Sequence, residues 1–583
     1  MSIVFLKKYK IKSAKTVAIV PQAWYNVIRE SQNHEGAIML IQRFGAAAAA
    51  VLCGVLCLSG CSHKENTGAG FQFTCTLEQN PDCLDPQFTD NPYAAAVLAN
   101  TMEGLMRLDA AGNPVCAEAL NYAVSKNGLH YTFTLRDDCY WYNAQSDPDR
   151  LERVTARDYV FAFKRLVDPG QYSPFAEDFA CIRNASAITA GEMGVDALGV
   201  TAPDASTIEI ELSYPEPDFL ALLARSCAVP CNQLFFESTK GRYGLDDETV
   251  LCNGPFYLTK WVYDQYGGGN FITCRKNMKY HDPDEVFPSN LQFNIMHSRE
   301  EAAADFAEGN SDIFFTDTYP KDYTDSKDYI IQSYRSQTLG LIFNLEKSRT
   351  RNENFRQALA RSIDRSRMSS LLTEDMQAAY GIIPPGVTLL GRSYRELYAD
   401  EQTAIPYQPK RARALFDEAA QDMSLSSSSM QILVPSTVLD TDALLSVCQG
   451  WQDLFGYYIG IETVSPEEFE RRIRDGEYSI ALWTLQPENN SCDAALDKVL
   501  DDCAVFGADP EAFTAVFAAP DKTAQRSDSV ALYGEAEKQF LETCCFIPLL
   551  YKNAYMVMTA GNEDVRYDPF TGAVSLRDAK HFQ

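Results

Sequence analysis

Residues 154–169 read VTARDYVFAFKRLVDP, and this stretch decides the fold class. Thr155 can cap a helix, with Asp158 at the reciprocal capping-box position. Tyr159, Phe163 and Leu166 then fall on one side until Asp168-Pro169 stops the helix. On either side the period changes from 3.6 to 2. Tyr131, Phe133 and Leu135 alternate with Thr132, Thr134 and Arg136, and Ile208, Ile210 and Leu212 alternate with Glu209 and Glu211. Both runs predict half-buried strands. Further along, Phe355, Leu359 and Ile363 mark a second helix. Ala412, Leu415, Phe416 and Ala419 mark a third after Pro409, and Ser465-Pro466 opens a fourth with Phe469 and Ile473 four apart. The pattern is mixed α/β without a visible internal repeat.

At 583 residues the chain exceeds the roughly 250–300 at which one core stops growing, so two or more domains are expected. Net charge is −28, and the first 60 residues hold seven of the 51 basic residues but only two of the 79 acidic ones. So acidic a body repels phosphate backbones, which argues against nucleic-acid binding and for a monomer in solution. Seventeen cysteines include no CxxC pair, and the six histidines show no HxxxH or HExxH spacing, so neither a metal nor another cofactor is expected. Apart from Cys53 and Cys57 in the apolar leader and Cys61 after it, disulfides and buried free thiols fit the fourteen remaining cysteines equally well.

Residues 44–60, FGAAAAAVLCGVLCLSG, form an apolar run behind Arg43 that ends at Leu58-Ser59-Gly60-Cys61. The length and the closing small residues read as a secretory signal, not a spanning helix. L-S-G-C resembles the lipobox of bacterial lipoproteins, which implies diacylglycerol on Cys61 Sγ and cleavage before it. Residues 1–60 are thus a signal region. Met39 begins a well-proportioned leader, so translation is expected to start there, with 39–60 the signal peptide and 1–38 outside the natural chain. Residues 61–70 would be a polar tether.

Eight stretches, in order, resemble the peptide/nickel class of ABC-transporter solute-binding proteins, the oligopeptide- and dipeptide-binding family. Leu84-Asp85-Pro86 is similar to its "LDP", and Met102-Glu103-Gly104-Leu105-Met106 with Asp109 and Gly112 to "FEGL…D..G". SKNGLHYTFTLRDDCYW from Ser125 resembles "S.DG..YTF.LR....W", and the opening stretch resembles "VTA.DFVY.W.RL.DP". Asn253-Gly254-Pro255-Phe256-Tyr257 with Trp261 follows "GTGPY.L..W". Asn344, Phe355-Arg356-Gln357-Ala358 and Ile363-Asp364-Arg365 follow "N…..RQAL..AIDR". Tyr407-Gln408-Pro409-Lys410-Arg411-Ala412 and Ile547-Pro548-Leu549 complete the set.

The resemblance implies an α/β, two-lobed periplasmic-binding-protein type II fold with an extra domain inserted in lobe I. Family architecture gives lobe I as 71–107, 205–335 and 546–583, the inserted domain as 108–204 and lobe II as 336–545. Crossings near 336–343 and 545 would be the hinge. The expected function is capture of oligopeptides or peptide-like solutes in a closing cleft, and delivery to the permease and ATPase of an ABC importer. The protein would be held on the outer face of the cell membrane through Cys61. A peptide-signal receptor, or a binder of a nickel chelate, an opine-like metabolite or a saccharide, is the alternative. The sequence has no GxSxG, P-loop or GxGxxG, so it is not expected to be an enzyme, and a secreted hydrolase is unmotivated.

The resemblance also implies site residues. Peptide-binding members have a Trp followed three positions later by an Asp that pairs with the ligand's α-ammonium; here Trp483 is followed by Gln486. An amide cannot neutralise a cation, so either Glu488 supplies the charge, or the ligand presents no free ammonium there, or the stretch is a plain loop without a ligand role. Asp90, Tyr93 and Phe175 fall where relatives contact ligand from lobe I, against exposed-loop or core alternatives. Asn344 lies at a crossing, where it would shape the hinge more than touch ligand, and Tyr551 either lines the cleft or packs in a strand.

Overall fold

A computed structural model describes residues 71–372, 376–399, 405–422, 430–436, 441–517 and 526–582. The signal, tether and lipidation readings for residues 1–70, Cys61 included, lie outside them.

The opening stretch forms the helix Ala156–Val167, whose Tyr159, Phe163 and Leu166 are fully enclosed. The Asp158 carboxylate accepts from the Thr155 N–H at 2.8 Å and from its hydroxyl at 2.9 Å, so the capping box closes at the first turn. That helix covers a four-stranded antiparallel sheet in the order Ala119–Val124, His130–Leu135, Thr207–Glu211, Val200–Thr201. Its inward residues are the alternating ones read from sequence: Tyr131, Phe133, Leu135, Ile208 and Ile210. The helices Glu353–Arg361, Pro409–Asp422 and Pro466–Arg474 also bury their periodic residues, Phe355, Leu359, Ala412, Phe416 and Phe469 among them.

One large sheet runs through the molecule. Its strand order is Ile459–Val464, Met430–Pro435, Ile480–Leu485, Tyr329–Phe343, Phe546–Thr559, Ile313–Thr316, Gln72–Leu77, Asn290–Ile295, Asn270–Lys276, Phe256–Val262, with Gln377–Ala378 alongside Phe546–Thr559. Among the described residues, two large and separate hydrophobic cores hang on it. The first gathers residues from Phe73 to Ile313 and from Met556 to Ala579; the second gathers Leu339 to Leu549 with Phe570. The 15-residue and 14-residue strands at the centre pair antiparallel along most of their length, Tyr329 against Thr559 and Ile342 against Phe546. Each therefore starts in one core and ends in the other, and they tie two lobes together.

Their register breaks twice, between Arg335 and Gln337 and between Leu339 and Gly340. Such irregularities bend a strand pair and raise its twist. At the second, a Cβ on Gly340 would stand 2.3 Å from the Phe546 ring and 2.6 Å from the Ile547 carbonyl, so the close approach needs glycine. Thirteen of the described cysteines are buried. Burial pushes the thiols of Cys83 and Cys227 up to about 11 and those of Cys231, Cys252 and Cys448 up to about 12, which keeps them protonated and inert.

Candidate ligand-binding cleft

The loop 486–490 leaves the strand Ile480–Leu485, which pairs with the central strand from Thr338–Leu485 to Phe343–Ile480. Pro487 lacks the N–H that would extend the ladder, and Ser491 then caps the helix Cys492–Phe506 by accepting from the Ala494 N–H at 3.0 Å. The loop is pinned three ways. Gln486 Oε1 accepts from Gln337 Nε2 at 2.8 Å, and Asn490 Oδ1 accepts from the Thr388 N–H at 2.8 Å. Asn489 Nδ2 donates to Asp178 Oδ1 at 3.1 Å. The last bond crosses between lobes, because Asp178 sits in the short turn Glu177–Phe179, whose Phe179 is sealed in the first core.

Asp178 also pairs with Arg225 at 2.7 Å, and the Arg225 guanidinium lies 5.4 Å from the centre of the Phe175 ring. Phe175 is thus half-buried under a cation at the lobe boundary. Glu488 stands beside this contact, with part of its surface open to water and its carboxyl partly enclosed. Burial raises its carboxyl, with Asp178, Asp501 and Asp90 adding repulsion and Lys498 opposing it. The structure therefore brings Asp90, Glu488 and Phe175 into one neighbourhood across the lobes. Asp497, one turn into the helix, is pushed up to about 7 by burial and by Asp493, Asp501, Asp178 and Glu177.

Trp483 belongs to lobe II. Its Nε1 donates to Asp502 Oδ2 at 2.7 Å and its ring stacks on Phe469, centroids 6.4 Å apart at 23°, so its one donor is committed and only part of the ring is exposed. Tyr93 donates from its hydroxyl to Glu78 Oε2 at 3.3 Å, and burial followed by that carboxylate pushes it up to about 12. Glu78 leads on through ion pairs, to Arg299 at 3.2 Å, then Asp317, then Lys552 at 3.1 Å. Burial would raise Asp317, but Lys552 and Arg299 hold it below the ordinary carboxylate range. Lys552 is the ladder partner of Gln337, which in turn holds Gln486. A polar line thus runs from Tyr93 to Gln486 across the lobe crossing.

Two more expected residues are held by buried partners. Tyr551 is 0% exposed: its hydroxyl accepts from the Gly381 N–H at 3.3 Å and Arg395 lies over its ring at 6.0 Å. The ring projects from the sheet face, and the segment at Gly381 and the Arg395 side chain help enclose it. Asn344 donates to the carbonyls of Gly476 at 3.1 Å and Tyr478 at 3.3 Å and shapes the strand exit. Sequence reasoning passed over Asp178, Arg225, Gln337, Asn489 and Lys552, because none stands in a local pattern. Two surface hollows, one lined by Lys347, Glu462 and Arg472 and one by Tyr319, Tyr323 and Tyr329, contain none of the expected residues.

Comparison with known proteins agrees with this geometry. The dipeptide-binding protein of Lactococcus lactis is 25% identical over 452 residues, covering 74% of this chain and 78% of that protein. The oligopeptide-binding protein OppA of Bacillus subtilis is 27% identical over 410 residues, covering 68% and 71%. The crystal structure of the substrate-binding domain of an oligopeptide ABC transporter from Bacillus anthracis superposes with a TM-score of 0.66 at 24% identity, over 88% of this chain and 99% of that one. It shows the type II periplasmic-binding-protein fold expected from the sequence. The profile of the bacterial extracellular solute-binding proteins, family 5, matches residues 113–504, and the protein belongs to that family.

Proposed function

We propose that the protein captures a short peptide or peptide-like solute between its two lobes, leaves it chemically unaltered and delivers it to the permease of an ABC importer. The observation that carries this is the Asn489–Asp178 bond, which joins walls built from two separate cores. A guest enclosed there is removed from water, where a few fixed dipoles count for much more than at an exposed surface. Relatives named as dipeptide- and oligopeptide-binding proteins support the peptide class.

In this reading the lobes are those drawn above, 71–107 with 205–335 and 546–583 against 336–545, with 108–204 inserted and the central strands as hinge. Asp90, Phe175, Gln486 and Glu488 meet the ligand. Tyr93 and Trp483 hold the walls, and Asn344 and Tyr551 hold the frame. Gln486 already shares a hydrogen bond with neutral Gln337, so this position offers an amide where an ammonium would need a carboxylate. The ligand accordingly presents no free ammonium to it. Cys61, outside the described residues, carries the lipid that keeps a monomeric binder at the outer face of the membrane.

A ligand that binds only the folded state raises its stability by RT ln(1 + [L]/Kd). A thermal-shift screen of tri- to pentapeptides, with free and blocked N-termini, is expected to show concentration-dependent stabilisation. No shift with any peptide together with a shift by a saccharide overturns the ligand class.

A further inference from the structure

Beside the lobe crossing, one side chain of lobe I is seated in the core of lobe II. Phe570 stands on the loop 568–573, which joins the short strands Arg566–Tyr567 and Val574–Ser575 near the end of the chain. That hairpin is built into lobe I. Val574 and Leu576 are fully enclosed in the first core. Asn100, on the helix Pro92–Thr101, clamps them by donating to the Val574 carbonyl at 2.7 Å and accepting from the Leu576 N–H at 2.8 Å. Yet the Phe570 ring is buried in the second core, the only described residue beyond Leu550 that joins it.

The loop holds the ring out rigidly. Pro569 fixes its own φ. The Asp568 carboxylate accepts from the Phe570 N–H at 3.0 Å and from the Thr571 hydroxyl at 2.7 Å, which pins the turn from inside. The Asp568 N–H reaches the Ala573 carbonyl at 2.8 Å, and its own carbonyl accepts from the Gly572 N–H at 2.9 Å. Gly572 has a φ of +76° and lies so close to Pro92 that a Cβ would collide with it. At the base, Tyr567 packs on Phe315 with ring centres 4.4 Å apart and meets Tyr334 edge-on at 5.4 Å, both on the lobe I side.

The seat lies at the hinge. Gly386 of lobe II donates its N–H to the Arg335 carbonyl at 2.7 Å, and Arg335 stands at the first register break of the central strands. A Cβ on Gly386 would come within 2.5 Å of that carbonyl and 3.5 Å of the Phe570 ring. Ser336, the extra residue of the break, is fully enclosed. A lobe II segment, a hinge strand and a lobe I ring therefore meet at one point. In a rotation, displacement grows with distance from the axis, so a contact at the break persists through a swing that parts Asn489 from Asp178. A bulged strand pair bends and twists readily, and by itself it does not fix the direction of that motion. A second contact beside it does.

We propose that Phe570 is a positioning residue for capture: its ring is the ball of a ball-and-socket joint beside the hinge strands, and it keeps the two lobes in line as they swing. The inference rests on lobes that close over a guest. Without the ring, the strand pair alone carries the alignment and the seat in lobe II opens to water.

The test is hydrogen–deuterium exchange of the ligand-free protein, as wild type, Phe570→Ala, Phe570→Val and Phe570→Met. Segment 382–390, around the seat, is expected to exchange about tenfold faster in Phe570→Ala and about threefold faster in Phe570→Val, which keeps the test open if alanine prevents folding. Methionine, flexible and of similar apolar volume, should restore the wild-type rate. The strands Asn290–Ile295 and Met430–Pro435 should keep their protection throughout. Small-angle scattering should show a larger radius of gyration for the alanine and valine variants than for wild type. Unchanged exchange, equal radii, or no gain with methionine overturns the joint, and so does faster exchange across all of lobe II, which would make the ring ordinary core. None of these measurements needs a guest, so the joint can fail while peptide capture stands, and the reverse.

Discussion

Asn489 and Asp178 stand 311 positions apart in sequence, yet the Asn489 amide donates to the Asp178 carboxylate at 3.1 Å. One residue belongs to the loop after the strand Ile480–Leu485, the other to a turn packed on the helix Ala156–Val167, whose Phe163 meets Phe179 edge-on at 5.7 Å. The bond therefore reports how far the two lobes have come together.

Removing it should loosen closure without unfolding either core. Asp178 keeps Arg225 as partner, so Asn489→Ala loses one bond worth about 1 kcal/mol, roughly a fivefold rise in Kd. Calorimetric titration of a bound peptide checks this, and an unchanged Kd would show that the contact has no part in capture.

Closure should also depend on pH. Burial, then Asp493 and Asp501 on its own helix, push Asp497 up to about 7, and Asp178 and Glu177 of the other lobe add to the rise when the lobes come together. A carboxyl raised in the closed form binds more protons there, so closure is favoured below that value and weakens as pH rises through it. Small-angle scattering of the ligand-free protein is expected to show a smaller radius of gyration at pH 5.5 than at pH 8. Asp497→Asn should flatten the difference.

The pair Asp85 and Arg165 tests what holds lobe I. Arg165 Nη1 stands 3.1 Å from Asp85 Oδ1 and 2.8 Å from Gln87 Oε1, with side chains 7% and 10% exposed in the ion pair. Asp85→Ala strands a buried guanidinium and should cost about 3–5 kcal/mol in urea unfolding. A loss below about 1 kcal/mol would mean that the pair is solvated in solution.

These examples mark what the sequence could and could not reveal. The helix Ala156–Val167 and the strands His130–Leu135 and Thr207–Glu211 were legible because each buries one face and so carries its own period. The motif Leu84-Asp85-Pro86 was visible, but its partner Arg165, 80 positions away, was not. The central strands hid for another reason: residues 338–343 are buried without a break, so period 2 is lost. Tyr551 is the same case, since a tyrosine in an apolar strand reads alike whether it faces a cleft or a core. Asp178 and Asn489 lie in loops, where only the assembled lobes give them meaning.

Gln486→Asp should change what the cleft selects. It places a carboxylate beside Gln337 where an ammonium can pair with it, so peptides with a free N-terminus should gain about tenfold over blocked ones, consistent with a charge-assisted bond worth about 1.5–3 kcal/mol. Equal affinity for free and blocked peptides would remove position 486 from the site.

The central claim is that the protein encloses a peptide-like guest and returns it unchanged. Native mass spectrometry of the purified protein, followed by denaturation and sequencing of whatever is released, tests it most directly. The account predicts one peptide-like molecule per chain, recovered intact after prolonged incubation with the protein. Recovery of a saccharide, or of a peptide shortened by the incubation, would contradict it.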